Sequence, residues 1–333
     1  MTRTITEHKL HEARQTHEIV QVPGLPVLAL SQMSPSTLVK IGLDQRTEQI
    51  IEACAFPIHE PDSMLHGLAQ STRYPGHIWA TLQGANLLLL IDSAADLAAA
   101  PTIVRTISIP DGGKGPHYVG EYGDYLCVSL KDGNQVLVIS HIDEGDFTLH
   151  DALPQPIFVA VHPESGEIYV SQDRSSSILR IDREAGTATQ FSVPPERGAT
   201  PVGLVPGPGG LWFVLLGSPR SGAGTFGRIG AGGGITWFAL TPHEGEKIGL
   251  LHLAFDPASS GQRGAWLISS SIGSPDVLNA LVRVTFDEGY TTLESESVCI
   301  LPTPACMAHR VLPLRTSVVV TEMMTSTVAQ LSY

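Results

Sequence analysis

The chain has 333 residues and a net charge of −13, with 20 Lys and Arg against 33 Asp and Glu. An acidic chain without a basic run is a poor partner for nucleic acid or an anionic membrane surface, and no apolar stretch approaches the roughly 18 residues that a membrane helix needs. Glycine (33) and proline (24) are frequent while charged residues make up only 16 %, which favours many short strands joined by turns over long solvated helices.

The N-terminal run MTRTITEHKLHEARQTHEIV has no apolar signal core, and the expectation is a cytoplasmic protein. Cys54, Cys127, Cys299 and Cys306 show neither disulfide nor metal spacing, and read as buried thiols in a reducing compartment. Along the chain, a unit of about four short strands then recurs. The first runs from Thr16 to Ala55. The next begin near Leu65 (LHGLAQ), Pro116 (PHYVGEY), Ile157 (IFVAV), Pro201 (PVGLVPG), Leu251 (LHLAF) and Cys306 (CMAHRV). From the second unit on, an anchor position is read as His66, His117, Phe158, Val202, His252 and Met307, at intervals of 41 to 55 residues.

A four-strand unit of that period is the signature of a β-propeller blade, because one blade cannot hide both faces and must stack on its neighbours. The expectation is an all-β, single-domain, seven-bladed propeller, with six blades as the alternative if the first unit is irregular. Blades are expected at 16–60, 61–110, 111–153, 154–196, 197–243, 244–302 and 303–333, with residues 1–15 closing the ring. The last unit is one strand short. Thr2–Leu10 is the natural donor of its outer strand, which leaves no free edge.

In such a repeat the anchor before the first strand and the residue ending the second meet at one rim. The anchors supply Phe158, Val202 and Met307 beside three histidines, with His309 two residues beyond Met307. Second-strand ends supply Gln32, Leu82, Gln83, Leu130, Lys131, Gln172, Leu215, Ser269 and Glu322. This is a largely apolar funnel with scattered hydrogen-bonding groups, suited to an apolar small molecule. No Walker loop, Gly-x-Ser-x-Gly elbow or zinc-ligand cluster stands in the sequence, and Gly207–Gly210 reads as a strand turn.

The units resemble those of the streptogramin (virginiamycin B) lyases, with the best segment at Gly186–Leu240, where Leu211-Trp212-Phe213 and Gly227-Arg228-Ile229 stand in the family's pattern. The resemblance implies a seven-bladed propeller that opens a cyclic depsipeptide by elimination, using magnesium and a histidine base. Position by position it implies roles for His252 and Glu322. The family's Glu-Pro-His anchor reads Ala305-Cys306-Met307 here, so a second acid and the base histidine are missing. Methionine is a poor ligand for a hard cation.

Within that group the chain resembles fungal hetero-Diels–Alderases of tropolonic sesquiterpenoid pathways, on its fold, its lost lyase residues and its apolar funnel. That implies a cofactor-free, metal-free cyclase joining a tropolone o-quinone methide to a humulene-type macrocycle. His252, His66 and His117 are its candidate donors and Glu322 a candidate tuning or dehydrating acid. Phe158, Val202, Met307, His309, Gln32, Gln83, Lys131 and Gln172 are its candidate binding residues. The alternatives are a magnesium-dependent C–O lyase or lactonase, and a non-catalytic binding module. The sequence carries no signal for oligomeric state.

Overall fold

The computed structural model describes residues 4–10, 13–243, 245–257 and 263–333. Strand β1 (Ile5–Lys9) comes first. The first blade follows with β2 (Arg14–Gln21), β3 (Val27–Ser34), β4 (Thr37–Leu43) and β5 (Ile50–Pro57). The second has β6 (Leu65–Gln70), β7 (His77–Leu82), β8 (Leu87–Asp92) and β9 (Thr102–Ser108), and the third β10 (Pro116–Tyr122), β11 (Tyr125–Leu130), β12 (Gln135–Ser140) and β13 (Phe147–Asp151). The fourth has β14 (Pro156–Val161), β15 (Ile168–Gln172), β16 (Ser177–Asp182) and β17 (Thr187–Ser192), and the fifth β18 (Ala199–Gly207), β19 (Gly210–Gly217), β20 (Thr225–Ile229) and β21 (Ile235–Ala239). The sixth has β22 (Leu250–Phe255), β23 (Gly264–Ser269), β24 (Ala280–Phe286) and β25 (Leu293–Ile300), and the last three strands are β26 (Ala308–Pro313), β27 (Ser317–Glu322) and β28 (Thr327–Ser332).

Six sheets are four consecutive strands in chain order; the seventh is ordered β1-β28-β27-β26. This is a seven-bladed β-propeller, and the six-blade alternative falls away because the first unit forms a regular sheet. Strand β1 pairs antiparallel with β28 from Ile5↔Leu331 to Lys9↔Thr327. The expected closing segment therefore pairs over five residues. Its Thr2 and Arg3 lie outside the described residues. No described helix is long and apolar enough to cross a membrane.

Turn chemistry explains the regular spacing. Asn86, Asn134, Ser176 and Ser326 each stand just before the third strand of a blade with φ between 47° and 56°. Asparagine visits this left-handed region most readily, and serine can bond its own turn. The first three strands of a blade are mostly buried, while fourth strands such as β9 and β17 are largely exposed. Cys54 on β5 and Cys299 on β25 are accordingly half-buried, which corrects the expectation of four buried thiols; Cys127 and Cys306 are buried, and all four are free.

The chain divides into two compact units, 1–159 with 321–333, and 160–320. In the first unit, facing blades interlock through apolar side chains: Val22, Leu38, Leu68 and Ile78 in one cluster, Trp79, Leu88, Val119 and Leu126 in the next. In the second unit Trp212, Phe226, Phe238, Phe255, Phe286 and Tyr290 form one aromatic core, with centroids such as Trp212–Phe238 at 5.3 Å.

One buried carboxylate ties blades 2 and 3 together. Glu121 accepts from Ser71 Oγ at 3.0 Å, Trp79 Nε1 at 2.8 Å, Thr72 Oγ1 at 2.8 Å and the Thr72 N–H. Burial alone would raise its pKa, but the donors of Trp79, Thr72 and Ser71 outweigh that and hold the carboxyl below its usual range. Its contribution is therefore present above the unfolded carboxyl pKa and lost as pH falls through the lower folded value. Glu121→Ala would strand the Trp79 and Thr72 donors, at a cost of about 3–5 kcal/mol. A urea midpoint like that of wild type would sink this assignment.

Candidate functional site

The hairpin joining the first two strands of each blade closes on a backbone pair: Val22–Val27, Ser71–His77, Tyr122–Tyr125, His162–Glu167, Gly207–Gly210, Asp256–Gly264 and Leu314–Ser317. Five residues back from each pair stand His17, His66, His117, Ile157, Val202, Leu251 and His309. Five residues forward stand Gln32, Leu82, Leu130, Gln172, Leu215, Ser269 and Glu322. In five blades the register slips at this anchor, between Thr16/Ile19, Leu65/Leu68, Pro116/Tyr118, Pro201/Leu204 and Leu250/His252. Such a bulge sets two residues against one and re-aims a side chain.

This register corrects three anchors. Phe158 and His252 each lie one residue past the anchor, which belongs to Ile157 and Leu251. Met307 stands two residues before it, half-buried, outside the strand and at φ 53°, and His309 takes the position instead. Spacing in the sequence could not show this, because hairpin loops differ in length and a bulge shifts the count by one. Sequence reasoning also missed His17. Its signal was present, since Thr16-His17 precedes the second-blade anchor by an interval inside the 41–55 range.

In the first unit three anchors meet. The His66 ring lies 4.1 Å from that of His17 and 4.0 Å from that of His117, tilted by 48° and 45°. All three are more than nine-tenths buried, so this row packs more than it displays. The His117 carbonyl can only accept, so the 2.9 Å contact from His66 Nδ1 fixes the proton on Nδ1. Hydroxyls lock the row. Ser31 accepts from Glu18 N and donates to the His66 carbonyl; Thr81 accepts from Gly67 N and donates to that of His117; Ser129 accepts from Tyr118 N and donates to that of Ile157. Thr321 likewise donates to the His17 carbonyl at 2.8 Å. Gly67 is required here, because a Cβ would sit 2.6 Å from the His117 oxygen.

In the second unit Val202 is buried at its bulge. His252 Nδ1 accepts from Val311 N at 3.4 Å. Burial first, and the Arg310 charge second, hold this imidazole well below the usual histidine range. A neutral ring that accepts at Nδ1 carries its proton on Nε2, and is a hydrogen-bond donor there. His309 is buried, and its carbonyl accepts from Arg310 Nη1 at 3.0 Å. A cavity of about 870 Å3 opens among the loops after β19 and β23 and the link into β22. Leu216, Pro219, Pro242, Val277, Arg220 and Lys247 line it.

Of the other sequence-derived candidates, Gln32, Gln172 and Glu322 bond within their own blades, while Gln83 and Phe158 reach the third blade. Gln32 Nε2 donates to Thr16 Oγ1 at 3.2 Å. Gln172 Nε2 donates to Ser177 Oγ at 2.9 Å and Gln190 Oε1 at 2.6 Å, across β15, β16 and β17. Gln83 and Lys131 lie one residue beyond their strands and are half-buried, with Gln83 Nε2 3.5 Å from Asp132 Oδ2. Phe158 is buried and packs on Tyr118, centroids 5.1 Å apart. Glu322 is fully buried, and its Oε2 accepts from the hydroxyls of Thr325, at 3.3 Å, and Thr327. A hard cation needs several oxygen ligands. Glu322 Oε2 is drawn into its own hairpin, and among the described residues no three His, Cys, Asp or Glu side chains are grouped to hold a metal. This donor set does not fit magnesium.

No protein-family profile matches the chain, and no curated protein matches it. Solved structures do. Virginiamycin B lyase from Staphylococcus aureus aligns with a TM-score of 0.74 at 17 % identity, over 100 % of both chains. A catalytically inactive variant of that enzyme with quinupristin gives 0.75 at 17 %, again over 100 % of both. A streptogramin B lyase structure gives 0.74 at 17 %, over 99 % of this chain and 97 % of the other. At this identity the likeness shows the fold, and the chain shares its propeller architecture with the streptogramin B lyases.

Proposed function

We propose that the protein is a cofactor-free, cytoplasmic cyclase of secondary metabolism that binds apolar small molecules, not nucleic acid or membranes, and works by orientation and hydrogen-bond donation. The observation that carries this reading is His252. A ring kept neutral by burial and Arg310, with Nδ1 engaged by Val311, is a fixed Nε2–H donor at neutral pH. Such a donor assists where charge develops on oxygen, and it needs no metal. Cycloaddition asks for little else than two partners held face to face, which supplies up to about 7–11 kcal/mol in ideal cases. The most specific form of the proposal is a hetero-Diels–Alderase that couples a tropolone o-quinone methide with a humulene-type macrocycle.

The alternative is a C–O lyase or lactonase of the streptogramin type, favoured by the likeness to structures named as such lyases. One experiment separates them. The chain is incubated with an o-quinone methide precursor and humulene, and separately with quinupristin, each after EDTA treatment and with magnesium restored. Coupling above the uncatalysed level that survives EDTA is the expected result. Magnesium-dependent opening of quinupristin without coupling would replace it with the lyase.

A further inference from the structure

The loops around the second-unit cavity are laced together by their backbones. Ile248 N bonds Gly222 O at 2.9 Å, Leu278 N bonds Lys247 O at 3.0 Å, and Ser270 N bonds Gly249 O at 2.9 Å. The cavity of about 870 Å3 is therefore preformed, and falls in the size range of small-molecule sites. Its charges are unequal in availability. Lys247 Nζ is held by Asp276 at 2.6 Å. Arg220 stands at the corner of the Pro219–Gly222 turn, closed by a 2.9 Å bond from Gly222 N to Pro219 O. It is exposed on the cavity and, among the described residues, has no ion-pair or hydrogen-bond partner. Among the described lining residues Glu246 is the one carboxylate, and its side chain has no partner among the described residues.

We infer that this cavity binds an apolar molecule bearing one carboxylate group, which Arg220 takes with its planar fork. An arginine fork matches a paired-oxygen anion in shape as well as charge. Leu216, Pro219, Pro242 and Val277 hold the apolar body. Glu246 repels a second anion or a badly seated first one, and selects for a single acidic group. This inference rests on the small-molecule reading above, at a cavity whose lining does not include His252.

Two fluorescent probes of one ring system test it without turnover: 1-anilinonaphthalene-8-sulfonate and neutral N-phenyl-1-naphthylamine, titrated into the full chain. The sulfonate is expected to bind one site about tenfold more tightly than the neutral probe. Arg220→Gln should bring the two within about twofold. Arg174→Gln, an exposed arginine elsewhere, should leave the ratio unchanged, and Glu246→Gln should tighten the sulfonate. Equal binding of both probes by wild type, or a ratio that Arg220→Gln does not move, overturns the anion site. A sulfonate preference in a protein that performs no coupling leaves the site standing and sinks the cyclase; coupling without the preference does the reverse.

Discussion

Removing Met1–Leu10 is expected to lower the melting temperature by on the order of 10 °C and to promote association of the truncated chain. Strand β1 covers the outer edge of β28 over five residue pairs. Leu10, only 5 % exposed, then bonds Ser326 O through its N–H at 2.8 Å. The lost ladder bonds and apolar burial, less the recovered chain entropy, come to about 3–5 kcal/mol. The bared edge of β28 would also offer an unpaired row of N–H and C=O groups to a second molecule. Calorimetry and sedimentation of the truncated chain check both parts. A melting temperature equal to that of the full chain would mean that β1 is an ornament.

His252→Ala is expected to lower kcat for the coupling reaction about 10²-fold while KM changes by less than about threefold, because a donor to developing charge acts mainly in the transition state. The pH profile follows from the same ring. Its folded pKa lies well below the usual histidine range, so Nε2–H remains a neutral donor and the wild-type rate should stay flat from pH 8 to about 6. Stability runs differently. Below about pH 6.5 the unfolded chain takes up a proton at this histidine that the folded chain refuses, so stability falls with acidification, and His252→Ala should soften that fall. A wild-type rate that drops with a midpoint near about 6.5, where a free imidazole titrates, would show the ring to be exposed and ordinary. An unchanged kcat in His252→Ala would remove it from the reaction.

The propeller was legible because a blade is a local object. Four strands, a left-handed Asn86 or Ser176 before the third, and a period near 45 residues are all written within one stretch of chain, and a missing last strand can be inferred by counting. The anchors were only half legible. The hairpin register sets His66, His117 and Val202 at the anchor position and Phe158, His252 and Met307 off it. A bulge has no residue signature of its own, and hairpins of unequal length, such as Tyr122–Tyr125 and Asp256–Gly264, erase the spacing.

By itself, then, the sequence determined the all-β class, the seven repeats and the donation of an N-terminal strand, since alternation, turn residues and repeat length are properties of neighbours along the chain. Only the tertiary structure decided what the polar groups do. Which histidine nitrogen carries a proton depends on whether a carbonyl, as for His66, or an N–H, as for His252, comes from an adjacent blade. Whether a carboxylate oxygen turns back onto its own hairpin, as Glu322 Oε2 does, depends on the direction the side chain takes from the strand. For the two histidines those choices are made by contacts 51 and 59 positions apart, where hydrogen-bond direction and desolvation set the chemistry.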